Sequence, residues 1–219
     1  MITANIQKIN GEIGNGIKLI AVSKTKTAET ILEAYHAGQK LFGENKVQEM
    51  VSKQSILPLD IEWHLIGHLQ SNKVKYIASF VSMIHSVDSI KLLEEIDKEG
   101  KKNKRIINCL LQIYIASEET KFGLNKEEVF NILRNPVLKE LKHIKICGLM
   151  GMASNTLDLT QIRNEFKNLH QLFTGIKTTF FSGDPNFKEL SMGMSSDYTI
   201  AVEEGATLIR VGSLIFKDK

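Results

Sequence analysis

Eight short apolar runs recur along the chain with helical patterns between them, and this alternation limits the possible folds more than any other feature. The runs lie at 18–23, 40–42, 62–66, 83–87, 106–113, 145–150, 189–192 and 208–211. Continuous apolar segments of this length suit strands buried on both faces, as in a parallel sheet. Helical periodicity fills the gaps at 27–37, closed by Gly38, and at 45–54, where Asn45 and Gln48 resemble a capping box. It continues at 71–79, 88–99 (ending at Gly100), 125–133, 160–173 and 195–204. Eight strand–helix units close most naturally as a barrel, so the expected fold is α/β: a single (β/α)8 TIM-type barrel with a short N-terminal segment. An open doubly wound sheet would want a G-x-G-x-x-G turn after its first strand, and AVSKTKTAET offers none. Pro58, Pro136 and Pro185 fall in loop-like stretches, no low-complexity linker interrupts the chain, and one domain over residues 1–219 is expected.

Composition narrows the class of function. With 42% hydrophobic and 24% charged residues the chain can bury a core. The net charge of +3 is small and spread out, so neither nucleic acid nor a membrane is an expected partner. The densest basic run, 98–105, falls where a helix ends and complements its dipole. The opening MITANIQKINGEIGNG lacks the layout of a secretory signal, no segment is apolar enough to span a bilayer, and a cytoplasmic location follows as the expectation. Cys109 and Cys147 sit inside apolar runs and read as buried thiols without a disulfide. No heptad or sticky strand forces assembly, which points to a monomer.

In such a barrel, function collects on the loops after the C-terminal strand ends. Lys24 ends the first run within Ala21-Val22-Ser23-Lys24-Thr25-Lys26, where a partly desolvated amine has the chemistry to form a Schiff base. Alternation alone leaves Lys24 and Lys26 both open. Ser191-Met192-Gly193-Met194-Ser195-Ser196 follows the seventh run and Arg210-Val211-Gly212-Ser213 ends the eighth, where barrels commonly bind phosphate. Gly193 and Gly212 admit close backbone approach, Ser195 and Ser213 add hydroxyls, and a helix beginning near Ser195 points its positive end at the same place. His64 and His68 are four apart, but on a strand running into Gly67 their imidazoles should not converge on a metal. His36, His85, His143 and His170 read as surface or strand-end residues.

The segments AVSKTK, FGEN, EWHLIGHLQSNK, GLM, LSMGMSSD and RVGSLIF, in this order, make the chain resemble the pyridoxal phosphate homeostasis proteins over nearly its whole length. That resemblance implies pyridoxal 5'-phosphate as cofactor, bound as a Schiff base to Lys24 and not Lys26. It implies that Asn45 approaches the cofactor ring, that Ser195, Gly212 and Ser213 with nearby backbone at Met194 hold the phosphate, and that Arg210 faces the pyridine nitrogen, as in the related alanine racemase barrel. Three departures from the family pattern are Thr27 in place of proline, Lys46 in place of tyrosine, and the ending IFKDK in place of IFG.

The resemblance implies a cofactor-binding homeostasis protein with no catalytic residues, whose partners are pyridoxal phosphate and apo-forms of pyridoxal enzymes. The alternative is a pyridoxal-dependent amino-acid racemase. Two considerations weigh against it. A permanently charged arginine at the pyridine nitrogen weakens the electron sink. The racemase barrel also relies on a second domain and a partner subunit's tyrosine, for which a chain ending at Lys219 leaves no room.

Overall fold

The computed structural model describes residues 1–118 and 122–217. Eight strands, β1 (Lys18–Val22), β2 (Leu41–Glu44), β3 (Glu62–Leu65), β4 (Met83–Val87), β5 (Ile107–Ile113), β6 (Ile144–Gly151), β7 (Glu189–Ser191) and β8 (Leu208–Val211), form a closed parallel barrel in chain order. The ring closes where Ala21 of β1 pairs with Val211 of β8. Each expected strand is present with its ends moved by no more than two residues.

Strand alternation divides the apolar residues into two cores. Ile20, Met83, Leu110, Cys147, Met150 and Leu208 cluster inside the barrel. Their neighbours of opposite parity, such as Leu19, Ala21, Phe42, Trp63 and Ile209, pack between sheet and helices. Cys109 lies in this outer layer and Cys147 in the inner one, both buried as free thiols.

The helices are α1 (Ile2–Ile13), α2 (Ala28–His36), α3 (Val47–Gln54), α4 (Ile90–Lys102), α5 (Lys126–Arg134), α6 (Leu159–Phe180) and α7 (Tyr198–Glu203), with 3-10 turns at Ser71–Tyr76 and Pro136–Lys139. The helix expected at 71–79 is instead the 3-10 turn at Ser71–Tyr76, α4 runs through Gly100 to Lys102, and other helices differ from expectation as well. α1 replaces what read as an unstructured N-terminal segment. Its Ile2, Ile6, Ile9 and Ile13 form one buried stripe against α2 and α7, and the Asn5 side-chain amide donates to the Ile215 carbonyl at 3.0 Å. The Tyr198 hydroxyl donates to Glu12. The position over the β8–β1 seam is therefore covered from the N-terminal side.

The capping box at Asn45 does not form. α3 starts at Val47 because the chain is still extended at Lys46 (φ −119°, ψ 131°), which takes the capping position without a side-chain cap. The helix expected near Ser195 starts later, at Tyr198 with Asp197 before it. The chain first turns through Gly193 (φ 90°), and the Asp197 carboxylate takes the Met194 N–H at 2.6 Å. α6 runs on to Phe180, past the expected end at Phe173. Among the described residues no helix is long and apolar enough to cross a membrane. Of the ending IFKDK, Asp218 and Lys219 lie outside the described residues.

Candidate functional site

β8, β1 and β2 are neighbours in the ring, so the residues following their C-terminal ends meet at one rim of the barrel mouth. Ile20 points into the barrel, and position 24 continues that parity two steps beyond Val22. The backbone there is held from outside the sheet. Ser23, fully buried, donates its hydroxyl to Glu44 Oε1 at 2.6 Å. The buried Lys53 ammonium donates to the Ser23 carbonyl at 2.8 Å and to the same Glu44 oxygen at 2.7 Å. Glu49 Oε2 accepts the Thr25 N–H at 2.9 Å.

Thr25 itself is left-handed (φ 63°), a conformation that costs a β-branched residue about 1–3 kcal/mol and persists where its surroundings fix it. Lys24 thus stands exposed between two pinned neighbours. Lys26 comes after the turn, which its own N–H closes on the Ser23 carbonyl at 3.0 Å. Burial pushes the Glu44 carboxyl up, against the opposing pull of Lys53 and Ser23.

Asn45 follows directly on β2, two residues past Gly43, whose added Cβ would strike Ile20 inside the barrel at 2.9 Å. Its backbone is closely covered, since a Cβ on Gly67 would lie 2.3 Å from the Asn45 carbonyl oxygen. Across the seam, Arg210 is only 4% exposed. One guanidinium nitrogen donates to Ser191 Oγ at 2.6 Å and another to the Gly151 carbonyl at 3.0 Å. Burial brings its pKa down to about 10, with Asp197 acting to raise it, so the charge persists at neutral pH.

Gly212 donates its N–H to Ser195 Oγ at 3.3 Å. A Cβ on Gly212 would meet the Val22 carbonyl at 3.0 Å, and one on Gly193 would lie 2.5 Å from Ala201 Cβ. Both glycines therefore allow an approach that a side chain would block. Ser195 is half-buried and Ser213 exposed, while the Met194 N–H is already taken by Asp197. The mouth gathers an amine, a carboxamide, a buried cation and a hydroxyl- and glycine-bearing pair of loops. This donor set suits an anionic carbonyl compound: an aldehyde for the amine and a phosphate for the loops.

His64 and His68 diverge. His68 lies at the mouth, stacked on Phe122 with centroids 4.9 Å apart and 3.6 Å from Asp88. His64 lies inside the barrel, its Nδ1 2.9 Å from His85 Nε2, and His85 Nδ1 is 3.0 Å from Ser191 Oγ. His85, expected at a surface or strand end, is fully buried. Its alternation with the inward Met83 is the signal that places it inside once the barrel is granted.

The family model for the alanine racemase N-terminal domain matches residues 1–219. A pyridoxal phosphate homeostasis protein of Aquifex aeolicus is 38% identical over 218 residues, covering 98% of this chain and 93% of that protein. One of Haemophilus influenzae is 37% identical over 207 residues, covering 92% and 85%. PipY of Synechococcus elongatus, solved with pyridoxal phosphate bound, superposes with a TM-score of 0.89 at 36% identity, covering 99% of this chain and 100% of that one. An alanine racemase of Clostridium difficile shares the fold at 13% identity (TM-score 0.77), and there the match covers 56% of the racemase chain. The chain belongs to the alanine racemase N-terminal domain family, within the group of pyridoxal phosphate homeostasis proteins.

Proposed function

We propose that this protein binds pyridoxal 5'-phosphate at the C-terminal mouth of the barrel and serves vitamin B6 homeostasis as a carrier, without catalytic turnover. The observation that supports the reading is that the exposed Lys24, just past the end of β1, and the buried Arg210 of the neighbouring β8 belong to adjacent strands at the mouth, beside the glycine- and serine-bearing loops that follow β7 and β8. When bound, the cofactor supplies an aldehyde that condenses with an amine and a phosphate that seeks N–H and O–H donors.

In this reading Lys24 carries the cofactor as a Schiff base and Arg210 donates toward the pyridine nitrogen. Asn45 lies against the ring. Ser195, Gly212 and Ser213 hold the phosphate, and Met194, tied to Asp197, shapes the loop around it. The lysine is presented by a buried polar network, a rigid support that binding needs as much as catalysis does. The whole chain, 1–219, acts as one barrel domain and as a monomer. Its partners are apo-forms of pyridoxal enzymes, and its place is the cytoplasm, which suits two buried thiols of which Cys147 is pushed up to about 11. The extensive match to homeostasis proteins and the partial one to a racemase support carrier over racemase.

The test is to load the protein with pyridoxal phosphate, follow common amino acids by chiral chromatography, and measure reactivation of a pyridoxal-free enzyme in parallel. The expected result is reactivation, with amino-acid conversion no faster than by free cofactor. Turnover of around 10 per second would place the protein among ordinary enzymes and overturn the carrier reading.

A further inference from the structure

Four polar side chains run in single file through the barrel interior, from mouth to base: Arg210, Ser191, His85 and His64. All four are buried. The links are Arg210 Nη1 to Ser191 Oγ at 2.6 Å, Ser191 Oγ to His85 Nδ1 at 3.0 Å, and His85 Nε2 to His64 Nδ1 at 2.9 Å. His64 ends the file against a basal cavity of about 340 Å³, also lined by Lys18, Glu62, Asn108, Lys145 and Glu189.

We propose that this file is a one-way hydrogen-bond chain in which His85 is the positioning residue for Arg210, so that the guanidinium facing the mouth is oriented from the opposite end of the barrel. Arginine only donates, so Ser191 must accept from it. Ser191 carries a single proton, and the remaining close partner is His85 Nδ1. Were Nδ1 also protonated, the buried hydroxyl proton would be left without this acceptor and an N–H would point toward a cation, both unfavourable. His85 therefore accepts at Nδ1 and donates from Nε2 to His64 Nδ1, and His64 presents Nε2–H to the basal cavity. Both imidazoles are neutral in this pattern, and burial agrees, holding His64 down to about 3 and His85 well below its usual range.

The consequence is positional. Ser191 and the Gly151 carbonyl each take one N–H of the fork, which cannot rotate without breaking the file, so the N–H groups left over are fixed toward the mouth. The role of His85 rests on the proposed binding of pyridoxal phosphate there; the direction of the file does not.

Two measurements test it. In the ¹⁵N-labelled protein without cofactor, two-bond ¹⁵N–¹H spectra at neutral pH should show Nδ1 unprotonated and Nε2 protonated in both His85 and His64. A protonated Nδ1 on His85 would overturn the chain, whether or not pyridoxal phosphate binds. In the second, pyridoxal phosphate is titrated by its visible absorption and its ¹⁵N-labelled ring nitrogen followed by NMR in His85→Phe and His85→Asn, with folding checked by circular dichroism. His85→Phe should weaken binding about tenfold and move the ring-nitrogen shift, while His85→Asn, which keeps an acceptor for Ser191, restores most of both. A folded His85→Phe that binds and titrates like the parent would overturn the positioning role. If His85→Phe does not fold, the tautomers of the unmodified protein and the behaviour of His85→Asn decide. No binding by the parent would sink the proposed function instead, leaving the tautomer result to stand or fall alone.

Discussion

Ser195 and Ser213 stand on the loops after β7 and β8, with the Gly212 N–H already turned toward Ser195 Oγ. Each hydroxyl bond lost to a charged phosphate should cost about 1.5–3 kcal/mol. The double variant Ser195→Ala/Ser213→Ala should therefore bind pyridoxal phosphate at least tenfold more weakly, yet bind pyridoxal almost unchanged. Parallel absorbance titrations with the two vitamers check this, and parent-like binding of both would place the phosphate elsewhere. Individual residues are also where the sequence misleads. Lys24 and Lys26 share a parity until the left-handed Thr25 turns the chain between them. Asn45 and Gln48 have the spacing of a helix cap, but the chain stays extended at Lys46 and α3 begins only at Val47. His85 has only its alternation with Met83 to mark it as inward, because its partners, Ser191 and His64, come from other strands and meet it only when the ring closes.

At the scale of elements, the strands were legible and some helices were not, for a physical reason. Strands buried on both faces spell dense apolar runs, whereas a helix at the rim shows only a stripe. α1 is such a case: its isoleucines at 2, 6, 9 and 13 mark one helical face within an otherwise polar, glycine-containing segment. α6 outruns its expected end because Phe173 and Phe181 both stack on Phe187, at 5.0 and 4.3 Å between centroids, extending the apolar face. If α1 is the cover of the β8–β1 seam, Ile6→Ala, at a position 2% exposed, should destabilise the fold by about 2–5 kcal/mol in urea unfolding. A loss below 0.5 kcal/mol would mean a peripheral helix. The β6 bulge is a further element-level device hidden in sequence: Gly148 (φ 153°) lies so close to β7 that a Cβ would fall 1.7 Å from the Glu189 carbonyl oxygen.

For the whole molecule, the two buried imidazoles in the barrel shape the response to acid. His64 and His85 are depressed below the ordinary value of 6.5, so the unfolded chain takes up protons that the folded one refuses. Their contribution is complete above pH 6.5 and falls as pH drops, by roughly 1.4 kcal/mol per pH unit for each imidazole. Glu44, raised by burial, works in the opposite sense nearer its ordinary 4.5. Urea unfolding between pH 7 and 5 should show the decline, and a flat profile would mean that the imidazoles are protonated inside the barrel.

The proposed binding of pyridoxal phosphate turns on one amine. Borohydride reduction of the pyridoxal phosphate-loaded protein, followed by peptide mass mapping, tests it directly. The expected result is a single phosphopyridoxyl label on Lys24; a label on Lys26 or any other lysine, or no label at all, would contradict it.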